Sequence, residues 1–139
     1  MGRILGVDFG SRRVGLALTD THKIMAFPHK TLVYSALEEL IEELRKEIGE
    51  QKVETVVVGL PIGMRGQQTD QTVRVEEFVS ELKRRISVPV RMVDERLTSV
   101  QAERVLRERG LEPSRHKSRV DKTAAAIFLQ SYLDSQSSP

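Results

Sequence analysis

The spacing of the apolar segments in the N-terminal quarter of the chain is the feature that most constrains the fold. Strand-like segments cover residues 3–9, residues 14–19 and the stretch from Ala26 to Val33. The turns between them are too short for a crossover helix, so the three strands must pair as an antiparallel meander. Beyond Ser35, helical periodicity alternates with apolar runs, which is typical of strands joined in parallel through helices.

The later elements follow from periodicity and end signals. The first helix is predicted to begin near Ser35, which would form a capping box with Glu38, and to end at Gly49. The remaining predicted elements are a strand from Val53 to Leu60, a helix, a strand from Val88 to Asp94, a helix from Thr98 to about Gly110, and a helix from about Ser118. The order is therefore β-β-β-α-β-α-β-α-α.

This order predicts an α/β protein with a mixed five-stranded sheet. Three strands would form the antiparallel meander, two would add in parallel, and helices would cover both faces. The length of 139 residues fits a single domain. We predict that this domain spans residues 1–134 and that residues 135–139 form a frayed tail.

Composition narrows the class of protein. The chain has no cysteine, which excludes disulfides and thiolate metal sites. No apolar stretch approaches the length of a membrane span, and no charged segment precedes the first strand. We therefore expect a cytoplasmic protein that does not associate with membranes.

Carboxylates occur where a core element should have none. Asp8 lies inside the apolar run that begins at Ile4, and an unpaired buried carboxylate costs several kcal/mol. Asp94 and Glu95 close the last strand-like run, and Asp121 lies on the apolar side of the last helix. Ligands in open α/β sheets lie beyond the carboxyl ends of the strands, so these acids could meet at one rim.

A divalent cation would make such a meeting of acids tolerable. Oxygen ligands without histidine or cysteine favour Mg²⁺ or Mn²⁺ over zinc. With such ions, acids at one rim beside a basic region would suit the cutting of a phosphodiester backbone.

Each acid also has a plainer interpretation. Asp8 could be a turn residue, and Asp121 could complete a capping box with Ser118. Asp94 or Glu95 could simply pair with Arg96 on the surface. Strand alternation separates Asp94 from Glu95 but does not choose between them.

Basic residues concentrate in the segment that precedes and begins the last helix. A nucleic-acid backbone could be positioned there by Arg104, Arg107, Arg115, Lys117 and Arg119. These residues could instead simply solvate a helix face. Aromatic residues make up only 4% of the chain, so we expect recognition by shape and backbone rather than by stacked bases.

Four motifs together resemble one protein family. They are Asp8-Phe9-Gly10, Val58-Gly59-Leu60-Pro61, Asp94-Glu95-Arg96-Leu97-Thr98, and the Lys117-x-x-x-Asp121-x-x-Ala124-Ala125 helix. Their order and spacing over nearly the whole chain resemble the YqgF family, also called RuvX. The resemblance implies an RNase H-like fold and a metal-dependent nuclease that trims the 5′ end of the 16S ribosomal RNA precursor.

The resemblance also implies roles for individual residues. Asp8, Glu95 and Asp121 match the family's catalytic, metal-binding acids, with Asp94 and Thr98 in support. Our hypothesis is that they hydrolyse a phosphodiester with two ions about 3.5–4 Å apart. Asp8 would bridge both ions, and Glu95 and Asp121 would each hold one side. Lys117 and Arg96 would meet phosphates. The chain departs from related RuvC-type resolvases at Gly59 and Ala124, where those proteins often carry further acids.

Other functions compatible with the sequence are a Holliday-junction resolvase acting on four-way DNA, a non-catalytic module that binds RNA or a transcription complex, and a nucleotide-binding protein of the actin or sugar-kinase type. Symmetric cleavage of a junction would demand a dimer, whereas trimming an RNA end would not. We expect a monomer or a weak homodimer.

Overall fold

The computed structural model describes residues 2–60, 68–94, 98–112, 115 and 117–137, without the side chains of residues 98–101, 117 and 137. The strands are β1 (Arg3–Phe9), β2 (Arg13–Thr19), β3 (Ala26–Val33), β4 (Val53–Leu60) and β5 (Val90–Asp94). The helices are α1 (Leu37–Glu50), α2 (Asp70–Arg85), α3 (Thr98–Glu108) and α4 (Lys117–Ser137).

The five strands form one mixed sheet in the order β3-β2-β1-β4-β5. The β1/β2 and β2/β3 pairs are antiparallel, and the β1/β4 and β4/β5 pairs are parallel. The predicted meander and the two parallel additions are therefore confirmed. The carboxyl end of β1 lies at the centre of the sheet, where antiparallel pairing on one side gives way to parallel pairing on the other.

Strand alternation divides the core between the two faces of the sheet. On one face, side chains such as Val7, Leu16 and Val58 pack against α1 and α2. On the other, Ala17 and Val57 pack against α4, and α3 packs on the outside of α4. The expectation of helices on both faces is confirmed. We refer to the second side as the α4 face.

Two glycines let α4 approach the sheet closely. A Cβ atom added to Gly6 of β1 would lie 3.1 Å from the Leu129 side chain. A Cβ atom on Gly15 of β2 would collide with the backbone carbonyl of Asp121. Only a residue without a side chain fits between β2 and the helix at that point.

Polar contacts fix the path of α4 across β3. The Thr31 hydroxyl donates a hydrogen bond of 2.7 Å to the Ser118 carbonyl oxygen. The Gln130 side chain accepts from the Ala26 amide at 2.8 Å and donates to the Ile24 carbonyl at 3.2 Å. One bond involves the first turn of the helix and the others lie further along it, so together they hold α4 in place over the sheet.

The first helix begins near Ser35 as predicted, but the predicted capping box and the predicted end at Gly49 are wrong. Ala36 is the N-cap residue of α1 and makes no side-chain cap bond, while the Ser35 hydroxyl lies 3.4 Å from the Glu39 carboxylate. Gly49 lies inside α1 instead of ending it. The helix ends one residue later, at Glu50, and Lys52 then lies in the left-handed region at φ 53°. The amide of Gln51 still bonds to Glu47, so the helical hydrogen bonding runs past the glycine.

α4 runs to Ser137, so residues 135–137 continue the helix into the segment for which a frayed tail is predicted. Leu133 is buried near its end, and the Ser135 hydroxyl donates to the Tyr132 carbonyl over 2.7 Å, which satisfies part of the terminal turn. The extent of the single domain stays a prediction. In the part of the chain that the structure describes, no helix is long and apolar enough to span a membrane.

A buried carboxylate ties the edge strand β3 to α1. Glu47 of α1 is 3% exposed and pairs with His29 Nε2 at 2.8 Å and with the Lys30 ammonium group. His29 is the extra residue where the β2/β3 register shifts, and this bulge lets adjacent residues reach one partner. Burial acts to raise the pKa of Glu47, but the bonds from Lys30 and His29 outweigh it and hold that pKa below its usual value.

Replacing Gly15 by alanine should separate α4 from β2. We expect Gly15→Ala to lower the free energy of unfolding by about 1–3 kcal/mol, because the added methyl group collides with backbone atoms of α4. The matched control is Gly49→Ala, since nothing lies within 4 Å of the added atom. That change should stabilise the protein by about 0.5–1 kcal/mol. Urea unfolding of both variants measures the difference, and equal effects would contradict the close approach.

Replacing Glu47 by glutamine should destabilise the protein in a pH-dependent way. We expect Glu47→Gln to cost about 1–3 kcal/mol at neutral pH, through loss of charge-assisted hydrogen bonds. Because the folded pKa of Glu47 is lowered, its contribution is present above the unfolded pKa and is lost as the pH falls through the folded pKa. Urea midpoints of the two proteins should therefore converge under acid conditions. A constant difference at all pH values would argue against a charged Glu47.

Candidate active site at the carboxyl end of β1

The register of the sheet places three residues in a row beside the carboxyl end of β1. Asp8 of β1 pairs with Gly15 of β2, and Gly15 pairs with Thr31 of β3. Directly opposed residues in antiparallel strands point to the same face. The Asp8 side chain therefore projects from the same face as the Gly15 position.

The first turns of α4 pass over this row. Ser118 contacts Thr31, and the backbone of Asp121 packs against Gly15. Asp8 and Asp121 are thus neighbours on the α4 face, although they lie 113 positions apart in the sequence. The structure brings together two of the acids that the sequence analysis selected.

The Asp121 carboxylate is paired with Arg13, the first residue of β2. Arg13 Nε lies 2.6 Å from Asp121 Oδ2, and the two side chains are 38% and 22% exposed. Arg13 precedes Gly15 by two positions, so strand alternation puts it on the same face. Helix α4 already begins at Lys117, and the carboxylate serves Arg13, so the alternative of a capping box between Ser118 and Asp121 is wrong.

The turn between β1 and β2 is held from several sides. The Gly10 amide donates to the Arg13 carbonyl at 2.9 Å, and the Tyr34 amide donates to the Arg12 carbonyl at 3.1 Å. The Tyr34 hydroxyl donates to the Gly10 carbonyl at 2.6 Å. Burial raises the pKa of Tyr34, although the charge of Arg74 acts the other way, so the hydroxyl remains a donor at neutral pH.

A further contact anchors the end of β1 itself. The Gln71 side-chain amide donates to the Phe9 carbonyl at 3.1 Å, and the Phe9 ring stacks on Phe78 of α2 with 4.4 Å between ring centroids. The backbone on both sides of Asp8 is therefore fixed by packing and hydrogen bonds. This is the support that a precise site requires.

The structure separates Asp94 from the other acids. Val93 packs with the α4-face cluster, whereas the neighbouring Asp94 pairs with Leu60, which packs on the opposite face. Asp94 is exposed and points away from the side that carries Asp8 and Asp121. Glu95 and Arg96 lie outside the described residues, as does the side chain of Thr98.

The predicted nucleic-acid contacts lie on the outer surface of the helical layer. Arg104 and Arg107 are exposed on α3, and Arg107 is 3.9 Å from Glu103 one turn earlier. Arg115 and Arg119 are also exposed, the latter in the first turn of α4. Lys117 begins α4, and its side chain is not described. Of these residues, Arg119 is nearest in the chain to Asp121, which follows it by two positions in α4.

The sequence analysis missed Arg13, Tyr34 and Gln71. Arg13 directly precedes the predicted second strand at residues 14–19, and in the structure it begins β2 two residues before Gly15, on the side of Asp8. That position could have marked it as a counter-ion. The bonds of Tyr34 and Gln71 to the rim depend on long-range packing, and no local pattern indicates them.

The rim residues suit a hard divalent cation in chemical type. Within the described residues, no three His, Cys, Asp or Glu side chains come together as a metal site. Asp8 and Asp121 supply carboxylate oxygens, and His29 is engaged by Glu47 elsewhere. The described part of the site thus offers the oxygen donors that Mg²⁺ and Mn²⁺ prefer, with the predicted third acid, Glu95, beyond it.

A family model called RuvX, described as Holliday junction resolvase, matches residues 2–135. The chain belongs to the RuvX family. A protein of Chloroflexus aggregans, named "Putative pre-16S rRNA nuclease", is 42% identical over 98% of this chain and 96% of its own length. A protein of the same name from Maridesulfovibrio salexigens is 40% identical over 94% and 97%, respectively.

Solved structures of resolvases share the RuvX chain's architecture. T. thermophilus RuvC, in complex with a Holliday junction, aligns with a TM-score of 0.59 and 17% identity over 98% of this chain and 96% of its own. The fowlpox virus Holliday junction resolvase aligns with a TM-score of 0.57 and 12% identity over 96% and 99%. The predicted RNase H-like fold is confirmed.

Removing the Tyr34 hydroxyl should loosen the turn that carries Arg13. We expect Tyr34→Phe to cost about 0.5–1.5 kcal/mol in unfolding free energy, because the Gly10 carbonyl loses its donor. Amide exchange at Gly10 should become faster. Tyr132→Phe, at the only other tyrosine, is the control and should leave that exchange rate unchanged. Unaltered exchange in Tyr34→Phe would show that this bond does not hold the turn.

Proposed function

We propose that this RuvX protein is a nuclease that depends on a divalent metal ion and processes the 5′ end of pre-16S ribosomal RNA. Two curated relatives at 40% identity or more carry the name "Putative pre-16S rRNA nuclease". The substrate would place the protein in the cytoplasm. The proposal draws its structural support from the convergence of Asp8 and Asp121 on one face.

The juxtaposition of these acids is hard to explain by folding stability alone. Both side chains are half-buried at the carboxyl end of β1, and they project from the same face beside Gly15. Two like charges in partly desolvated surroundings repel each other. A bound divalent cation would offset this repulsion, part of which Arg13 already offsets at Asp121.

The proposed ligand set consists of Asp8, Asp121 and Glu95. Bound Mg²⁺ or Mn²⁺, in the proposed arrangement of two ions, would supply an activated water and stabilise charge on the leaving oxygen. The chain's own task is to hold the carboxylates still. Asp8 is fixed by the strand and by the Gln71 contact beside it, and Asp121 by the packing of α4 on Gly15.

Strand alternation favours Glu95 over Asp94 as the third acid. Val93 packs on the α4 face, so the residue two positions later is expected on that side if the strand pattern continues. Asp94 is directed to the opposite face and would act through Glu95. Thr98 and Arg96 stay predicted supporting residues.

The substrate backbone would lie along the exposed cations of α3 and the start of α4. Arg104, Arg107, Arg115, Lys117 and Arg119 would contact phosphates. These residues would position the nucleic acid without reading its sequence. Affinity should therefore fall steeply as salt is raised.

A second candidate substrate is a four-way DNA junction. The family description and the resolvase-like fold favour it. Symmetric cutting of a junction would require two copies of the site in a dimer, whereas end trimming of RNA works with a monomer. The names of the more closely related proteins make the RNA precursor our first choice.

Acid-to-amide substitutions test the proposed site. We expect Asp8→Asn, Glu95→Gln and Asp121→Asn each to reduce cleavage of pre-16S RNA by at least about 100-fold, because each removes a charged metal ligand. Asp94→Asn carries the same charge change on the opposite face and should reduce the rate far less. The measurement is single-turnover cleavage of end-labelled precursor RNA in Mg²⁺ or Mn²⁺. Normal cutting by Asp8→Asn would refute the proposed mechanism.

A comparison of substrates separates the candidate functions. Precursor RNA, a linear duplex and a four-way junction are offered to the unmodified protein under one Mn²⁺ condition. We expect cleavage of the precursor RNA near its 5′ end to be fastest. Preferential, paired cuts in the junction would favour the resolvase function, and salt-dependent RNA binding without any cutting would favour a non-catalytic module.

A further inference from the structure

Arg13 places a fixed positive charge against Asp121, one of the carboxylates of the proposed metal site. Its Nε lies 2.6 Å from Asp121 Oδ2, and both side chains are partly shielded from solvent. A guanidinium group cannot lose its proton in a protein. A divalent cation that approaches Asp121 therefore meets an existing cation, which it must displace or accommodate.

We propose that Arg13 is a positioning residue that exchanges partners, holding Asp121 in the free protein and moving to a phosphate of the nucleic acid when metal loads. Metal binding and nucleic-acid binding would then be coupled through one side chain. This inference rests on the proposed function. It adds a physical cause for coupling between metal binding and nucleic-acid binding, because the acids alone give no reason for such coupling.

The contact favours exchange over a permanent pairing. It joins one guanidinium nitrogen to one carboxylate oxygen, and not the two-bond fork that arginine and carboxylate form at their strongest. The Arg13 side chain is 38% exposed, so solvent and a ligand can reach it. The repulsion between a guanidinium and a divalent ion on the same carboxylate provides the driving force.

The surroundings confine the exchange to the side chain. The Arg13 carbonyl accepts from the Gly10 amide, and the same turn is held by two bonds from Tyr34. The backbone of Arg13 therefore stays in place beside Asp8 while its long side chain rotates. A guanidinium group matches phosphate geometry, so a phosphodiester near the metal ions is a suitable second partner.

A permanent contact between Arg13 and Asp121 would change the metal affinity in the opposite direction. If Arg13 only oriented Asp121 for the metal, its removal would weaken metal binding, as loss of an orienting contact usually does. If Arg13 competes with the metal, its removal strengthens metal binding in the free protein. The sign of one affinity change therefore separates the two roles.

The test measures Mn²⁺ binding to the intact chain. Binding is monitored through the electron paramagnetic resonance signal of free Mn²⁺. Titrations are made with and without a single-stranded RNA whose phosphorothioate linkages resist hydrolysis. The variants are Arg13→Gln and Arg12→Gln. Arg12 is exposed in the same turn, so its substitution makes the same charge change away from Asp121.

We expect the RNA to tighten Mn²⁺ binding to the unmodified protein on the order of 5- to 10-fold, which is within the usual range of coupling between sites. Arg13→Gln should bind Mn²⁺ several-fold more tightly than the unmodified protein without RNA and should lose most of the gain from RNA. Arg12→Gln should keep both the affinity and the gain. Thermal unfolding checks that each variant is folded. If Arg13→Gln does not fold, Arg13→Lys replaces it, and the expected change in Mn²⁺ affinity is smaller but of the same sign.

Two results would overturn the inference. Weaker or unchanged Mn²⁺ binding by folded Arg13→Gln, beside a clear signal in the unmodified protein, would reject the exchange and leave the proposed nuclease intact. Absence of Mn²⁺ binding by the unmodified protein, with or without RNA, would reject the metal-dependent function as well. Asp8→Asn, measured in parallel, shows whether any bound Mn²⁺ lies at the acid site.

Discussion

The contact between Gly15 of β2 and the backbone of Asp121 in α4 is the constraint on which the rest of the site depends. Because the glycine has no Cβ, the helix lies close enough for a carboxylate from the far end of the chain to reach the row that contains Asp8. The same close approach brings Asp121 within reach of Arg13. One missing methyl group thus determines both the pairing of acids and their counter-charge.

Much of this arrangement could be predicted from sequence. Short turns dictated the meander, and carboxylates in apolar runs marked Asp8 and Asp121, because both signals are local and energetically expensive to violate. The end of α1 was misplaced by one residue, because helical hydrogen bonding continues past Gly49. α4 likewise continues to Ser137, beyond the residue at which the sequence pattern stops. Arg13 escaped notice because its role depends on a contact made 108 residues away.

The two sides of the β1 terminus have different tasks. On the α1 and α2 side, Phe78 and Gln71 hold the backbone by stacking and by a hydrogen bond. On the α4 face, Asp8, Asp121 and Arg13 remain partly open to solvent, as groups that bind ligands must be. A strand whose end is rigid from one side can present charged groups on the other without drifting, and this is what positional precision in hydrolysis requires.

The bulge at His29 has an effect beyond the ion pairs that it makes with Glu47. β3 is the outermost strand on its side of the sheet, and an unpaired strand edge can recruit a strand from another molecule. Pro28 offers no amide hydrogen, and the extra residue beside it breaks the regular spacing of the remaining ones. The edge is therefore a poor template for intermolecular β-pairing. This protects the protein against aggregation, although it exposes apolar side chains such as Phe27 and Val33 at that edge.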